Sequence, residues 1–357
     1  MTATPPAAQR LSLITDARFD RHAPTGHHPE RPARRGAAVA GAERGAEGSS
    51  RVHVEARAAT DDEVLRAHSD AHLSRLRDAC AGPAGYLDPD TYHGRHSLDA
   101  ALLAAGSACE MVDALMDDRA DVAMLLARPP GHHATRERAM GFCLINNVAV
   151  AAAHARSRGA RRVAVVDWDV HHGNGTQDIF YRDPSVLFVS LHQAPLYPDS
   201  GWVDEVGMGE GRGFSVNLPL PAGCDGALYA RAFERVVLPV VESFAPELVL
   251  VSAGFDAHAR DPLASQLLEA ADFGWMASRV RDIASRVGHG RVGLVLEGGY
   301  DLGALEASVE AAVRGALQPH ADAHPLVKDD PSADTARRIL DAVINAQSPY
   351  WPSLREG

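Results

Sequence analysis

The residues of this sequence best suited to hold a metal ion are Asp169 and His171 in the string DWDVHHGNGT and Asp256 in AGFDAH. A catalytic zinc site takes three protein ligands of nitrogen and oxygen type and leaves one position open for water. Asp169 and His171 lie two apart on a segment leaving an apolar run, so both side chains can point to one side. Asp256 stands in the corresponding place after another such run. An Asp-His-Asp set without cysteine suits a catalytic metal better than a structural one. An isolated DxH reads more simply as a turn-capping aspartate beside a core histidine, so the weight rests on the whole string.

His132 and His133 follow Arg-Pro-Pro-Gly, a stiff lead that fixes the backbone direction before two adjacent imidazoles. Such a pair can share acid and base work if each ring has its own partner to set tautomer and pKa. Asp167 and Asn174 are the candidate partners. His172 and the early pair His27 and His28 read as structural, making a buried hydrogen bond or lying in an exposed loop. Tyr300 ends the string EGGY, where Gly298 and Gly299 permit a tight turn that could aim the phenol at a metal and stabilise an oxyanion.

Short β-branched apolar runs precede these groups, at 11–15, 122–127, 162–169, 186–192, 248–255 and 292–299. They alternate with alanine-rich stretches of helical spacing at 97–117, 147–158, 226–244 and 304–316. Strands and helices taking turns predict an α/β fold, a mostly parallel sheet with helices on both faces. Ligands in such sheets bind beyond the carboxyl ends of the strands, where RPPGHHA, DWDVHHGNGT, AGFDAHARDP and EGGYDL all fall. The segments 37–50, rich in Ala, Gly and Glu, and 318–332, rich in Pro, Asp and His, read as surface connections.

The chain of 357 residues is expected to form one catalytic domain over 1–357. Its net charge of −12 disfavours a nucleic-acid surface and favours a cationic substrate or basic protein tail. Cys80, Cys109, Cys143 and Cys224 form no CxxC, which argues against a disulfide framework and a cysteine zinc site. No apolar run is long enough to span a bilayer, and the N-terminus lacks a basic start followed by an apolar core, so the expected location is cytoplasmic.

Taken together, RPPGHHA, GFCLINNVAVAA, VDWDVHHGNGTQDIF, VSAGFDAHARDPL and LEGGYDL resemble, in order and spacing, the zinc-dependent histone deacetylase family. HPERP at 28–32 and PYWPSL near the end extend the resemblance over nearly the whole chain, and Asn174 makes it closest to the class II branch and its bacterial relatives, including histone deacetylase-like and acetylpolyamine amidohydrolases. The resemblance implies the arginase/deacetylase fold, with a parallel sheet of about eight strands. It implies one zinc on Asp169, His171 and Asp256, with His132 (paired with Asp167) and His133 (paired with Asn174) flanking the attacking water, and Tyr300 polarising the acyl oxygen. The Gly141 carbonyl would accept the substrate amide N–H, and Phe142 and Tyr197 would wall a channel. Two potassium ions are implied, one on Asp167, Asp169, His171, Ser190 and Leu191, the other on Phe180, Asp183, Val186 and Phe214, largely through main-chain oxygens.

Tyr300 stands where the weakly active branch has histidine, so turnover is expected. Leu263 stands where polyamine-specific relatives carry a glutamate, and the connection from His133 to Gly141 lacks their long insertion. The expected substrate is therefore an acetyl-lysine in a protein or a related small acylated amine, ahead of an acetylpolyamine. Asp88 and Asp90 read as solvated surface residues, and His258 as a rim residue rather than a second metal ligand. The other readings are an acyl-lysine binding protein without turnover and a binuclear manganese ureohydrolase, whose DAHxD pattern is missing.

Overall fold

Runs such as VAVV at 163–166 and LVLV at 248–251 are apolar at every position, so they suit strands covered on both sides. In the computed structural model, which describes residues 9–318 and 333–355, they form the centre of an eight-stranded sheet. Its strands are β1 (Arg10–Ile14), β2 (Ser50–Arg51), β3 (Val122–Leu125), β4 (Val163–Asp167), β5 (Val186–Gln193), β6 (Ser215–Leu220), β7 (Leu248–Ala253) and β8 (Val292–Leu296). They run in the order β2-β1-β3-β8-β7-β4-β5-β6, with every pairing parallel. This is the mostly parallel sheet of about eight strands that the motifs lead one to expect.

Successive residues of the central strands feed opposite cores. Val163 and Val165 of β4 pack with α2 (Ser97–Met116) and α3 (Asn147–Ser157). Ala164 and Val166 face the other core with α1 (Ala33–Gly45), α5 (226–244, with a π-turn at Phe233–Val237), α6 (Ala270–Arg286) and α7 (Leu302–Leu317). α8 (Ala333–Gln347) joins that layer through Leu340 and Val343.

The segment 37–50 is no surface connection: most of it belongs to α1, whose Ala38 and Ala42 are fully buried. Small residues explain the difference. A Cβ on Gly41 would fall 2.1 Å from the Glu306 carbonyl oxygen and one on Gly45 2.5 Å from that of Glu310, so glycine lets α1 lie almost backbone to backbone on α7. The segment 318–332 lies, from 319 on, outside the described residues.

β3, β8, β7 and β4 are consecutive in the sheet, so the four polar strand ends are neighbours on one edge. Among the described residues, no helix is long and apolar enough to cross a membrane.

Candidate metal centre and active site

Asp167 closes β4, and the chain then turns through Asp169 and His171; Asp256 follows β7 by three residues. One ligand atom each from Asp169, His171 and Asp256 lies within 4.8 Å of the others. His171 Nδ1 is 3.2 Å from Asp169 Oδ1 and 3.1 Å from Asp256 Oδ2. The loops are cross-tied, with the Val170 N–H on Asp256 Oδ1 at 2.9 Å and the Gly298 N–H on Asp169 Oδ2 at 2.7 Å. Burial and the charge of Asp169 push the Asp256 carboxyl up, the expected strain of two anions sharing a dry site. A divalent cation relieves that strain, and the nitrogen-oxygen donor set suits zinc. The crowding is strict: a Cβ on Gly254 would sit 2.1 Å from Asp169 Oδ2, and one on Gly298 2.0 Å from Asp256 Oδ2.

Glu63, Cys109 and His154 form a second buried group of this size. It does not fit a metal, because Arg57 holds both carboxylate oxygens of Glu63 and His154 is engaged by Arg66 and Asp113.

The two histidines beyond β3 are separated by their surroundings. His132 Nδ1 lies 3.0 Å from Asp167 Oδ2, and His133 Nδ1 lies 2.7 Å from Asn174 Oδ1, at the first residue of α4 (Asn174–Phe180). Burial opposes charge on both rings. For His132 the charges of Asp167 and Asp169 overcome it and raise the imidazole to about 10. For His133 burial, reinforced by His132 and His171, drives the pKa well below its usual value, leaving a neutral ring. Their turn hangs on a residue that sequence reasoning missed. Glu297, fully buried at the end of β8, accepts the N–H groups of Gly131 at 2.7 Å and His132 at 3.1 Å, and the Ser252 hydroxyl at 3.2 Å. An acidic residue closing an apolar strand was the available signal.

A cavity of about 220 Å³ opens over these groups. Gly141, Phe142, Tyr197 and Leu263 all line it, together with His133, His171 and Tyr300. Gly141 and Phe142 both adopt positive φ, +56° and +68°. Glycine is required at 141, where a Cβ would meet the His133 ring at 2.4 Å. The strained Phe142 is held by its N–H on Thr91 Oγ1 at 3.1 Å and by His28, whose ring centroid lies 4.8 Å away. Thr91 belongs to a small hairpin in which Asp88 Oδ1 accepts the N–H groups of Asp90 and Thr91. Asp88 and Asp90 are therefore not simply solvated, since both are half-buried and Asp90 lines the cavity. Tyr300 has Phe142 on one side, with centroids 5.9 Å apart, and the Arg34 guanidinium 4.7 Å from its ring on another. Burial pushes the phenol well above its usual pKa, so it stays a proton donor. A larger groove of about 460 Å³, between α6 and α7, touches none of these loops.

Residues 28–316 match the family model described as the histone deacetylase domain. The chain belongs to the histone deacetylase family. It is 39% identical to histone deacetylase 15 of Arabidopsis thaliana over 332 residues, covering 92% of this chain and 59% of that protein. It is 45% identical to a histone deacetylase-like amidohydrolase of Pseudomonas aeruginosa, over 68% of this chain and 64% of that one. A probable deacetylase of Archaeoglobus fulgidus is 39% identical, over 82% and 85% of the two chains. The crystal structure of the HDA15 HD domain superimposes with a TM-score of 0.89 at 36% identity, covering 97% of this chain and 98% of that one. This chain spans about three fifths of the length of the first two relatives.

For a deacetylase family member, the remaining expected residues fall as follows. Asp167 and Ser190 are register partners across β4 and β5, with Leu191 next in the strand, so the first potassium set gathers beside the metal ligands. In the second set, the Asp183 N–H donates to the Phe180 carbonyl at 2.9 Å, the Val186 N–H points to the Asp183 carbonyl at 3.5 Å, and the Phe214 carbonyl accepts from Phe188 at 2.9 Å. His172 is buried between Ser200 and Gln177, a structural place. His258 is buried too, 3.7 Å from Glu269, and stands apart from the ligand cluster.

Proposed function

We propose that this histone deacetylase family member is a zinc-dependent deacylase that hydrolyses the amide of acetyl-lysine, or of a related small acylated amine, to acetate and free amine. What carries the reading is the meeting of the Asp169, His171 and Asp256 donors with a neutral His133 and a protonated Tyr300 around one cavity. Zinc held by those three residues supplies Lewis-acid activation of a water molecule and an amide carbonyl.

The chain's own residues supply the rest. Neutral His133 takes the proton of the attacking water and passes it to the leaving amine, and Asn174 keeps its Nε2 toward the cavity. His132, held cationic by Asp167, adds positive charge beside the developing oxyanion. The Tyr300 phenol donates to that oxyanion, and the Gly141 carbonyl accepts the substrate N–H. Phe142 and Tyr197 wall the alkyl chain, and Asp90 is the acidic side chain on the same lining. Leu263, standing where polyamine-specific relatives carry a glutamate, favours acyl-lysine over an acetylpolyamine, whose distal ammonium would find leucine at that position. The two potassium sets stiffen the strand ends, and the sheet with its helical layers serves as one catalytic domain. Four buried, unbridged cysteines suit a cytoplasmic setting.

The test is acetate release from an acetyl-lysine peptide, blocked by chelator and by hydroxamates and absent in His133→Ala. Full activity in Asp256→Ala would overturn the metal assignment. Binding of acetyl-lysine without turnover of any acyl group would establish the binding-protein reading instead. A panel including acetylputrescine and acetylspermidine checks Leu263, and strong preference for the polyamines would refute that argument.

A further inference from the structure

Tyr300 ends a turn made of Glu297, Gly298 and Gly299, and the two glycines offer no side chain by which the turn could be held. Glycine is imposed by space at 298 and by φ of +114° at 299. Such a turn is pliable, whereas a phenol serving an oxyanion must keep its place to within about 0.5 Å. The conflict is resolved by three ionisable side chains, one for each residue. The Gly298 N–H donates to Asp169 Oδ2 at 2.7 Å, the Gly299 carbonyl accepts from Arg34 Nε at 2.6 Å, and the Tyr300 N–H donates to Asp261 Oδ2 at 2.6 Å.

Asp169 and Arg34 have other duties, in the metal set and in a buried ion cluster. Asp261 has none yet. It is 7% exposed and lies on the loop after β7, and the hydrogen-bond partners of its carboxylate are all backbone N–H groups. Oδ1 takes the N–H of Leu263 at 3.0 Å, while Oδ2 takes Tyr300 and, more weakly, Asp301 at 3.4 Å, the N-cap of α7. A buried carboxylate held by amides alone is a costly way to close a loop. The Glu297 N–H on the Ala253 carbonyl at 3.1 Å and the Phe255 N–H on the Gly298 carbonyl at 3.2 Å already join the two neighbouring strand ends, and Asp261 extends that tie to Tyr300 itself.

We propose that Asp261 is a positioning residue for Tyr300. Its carboxylate ties the loop carrying Asp256 and Leu263 to the turn carrying the phenol and so holds that phenol at the reacting carbonyl. The inference rests on the oxyanion role proposed for Tyr300.

The experiment uses the full zinc-loaded chain as wild type, Asp261→Asn, Tyr300→Phe and the double variant. Asparagine keeps the shape but must set an N–H₂ group against either Tyr300 or Leu263. Measured are zinc content, kcat and KM for acetyl- and trifluoroacetyl-lysine peptides, and calorimetric affinity for a hydroxamate. Zinc is expected to stay at one per chain in every variant. Asp261→Asn should lower kcat for the acetyl peptide about 10²-fold with KM changed less than about threefold. The loss should be about tenfold smaller with trifluoroacetyl, whose fluorines stabilise the oxyanion without the phenol. Because both changes act through one group, the double variant should fall no more than about threefold below Tyr300→Phe, and hydroxamate affinity should follow the same pattern.

Losses that multiply in the double variant overturn the proposal, as does wild-type kcat in Asp261→Asn while Tyr300→Phe is impaired. Loss of zinc in Asp261→Asn overturns it too, assigning the residue to the metal centre. Wild-type kcat in Tyr300→Phe would instead remove the role proposed for Tyr300. If Asp261→Asn fails to fold, Asp261→Ser, whose shorter side chain cannot span both N–H groups, replaces it in the same cycle.

Discussion

Removing the charge of Glu30 should unfold this protein more readily than any surface substitution, because, among the described residues, Glu30 is the only anion in ion-pair contact with the two fully buried guanidinium groups of Arg34 and Arg128. Arg128 Nε and Nη2 each lie 2.5 Å from its oxygens, Arg34 Nη1 lies 3.2 Å away and His22 Nε2 3.6 Å, with both arginines and Glu30 at 0% exposure. Burial on its own would raise the carboxyl, but Arg128, then His22 and Arg34, bring it down from 4.5 to about 2. At about 1.4 kcal/mol per pH unit, that lowering corresponds to about 3 kcal/mol of stability at neutral pH. Leaving buried charges without their partner costs about 3–5 kcal/mol by general experience, in agreement. Glu30→Gln is therefore expected to lower the unfolding free energy by about 3–5 kcal/mol in urea titrations near pH 7. The sign with pH follows from a depressed carboxyl. The contribution is complete above pH 4.5 and is lost as pH falls toward 2, so the gap between wild type and variant closes only in strong acid. Adding Arg128→Met should recover part of the loss, since one stranded cation is then gone. A gap below about 1 kcal/mol at pH 7, the scale of an exposed pair, would refute the reasoning.

Gly298→Ala places a methyl 2.0 Å from Asp256 Oδ2 and 2.5 Å from Asp169 Oδ2, so bound zinc, read by elemental analysis, should fall well below one per chain; a full complement would contradict the geometry. Glu297→Gln can keep its oxygen on the Gly131 and His132 amides and offer N–H₂ to Ser252, so melting should change by less than about 1 kcal/mol. Glu297→Leu strands those two N–H groups and should cost about 2–4 kcal/mol together with most activity; equal behaviour of the two variants would count against Glu297 as the anchor of the histidine turn. Burial holds His68 at about 3 and His22 at about 4, both below the unfolded value of 6.5. The unfolded chain thus takes up protons first, and stability that is complete above pH 6.5 should decline as pH falls through 4, seen as a dropping melting temperature; a flat profile down to about pH 4.5 would exclude this.

The proposed metal ligands, the histidine pair with its partners and Tyr300 stood out in the sequence because they follow the carboxyl ends of apolar runs, and polar residues there have little structural reason to be present. The strands and helices around them were legible for the same local reason, periodicity. Others were missed, α1, β2, α4, α6, β6 and α8 among them, and two of these show why. α1 lacks an apolar stripe, and its burial depends on Gly41 and Gly45 meeting α7 some 260 residues away. β6 contains Asn217 and Pro219, which interrupt an apolar run, and it forms a strand because it lies at the sheet edge, where proline is tolerated.

The amino-acid sequence by itself determined which side chains are polar at which strand ends, and through the motif order it determined the family. Only the tertiary structure decided what holds them. Glu297 reaches Gly131, Arg34 reaches Gly299 and Glu30 reaches Arg128 across 98 to 265 residues of chain, and Asp261 reaches Tyr300 across 39. Those pairings exist because the sheet sets β3, β8, β7 and β4 side by side, an order that no local pattern encodes. Once they are adjacent, burial makes every unpaired charge or amide costly, and that cost selects the partners.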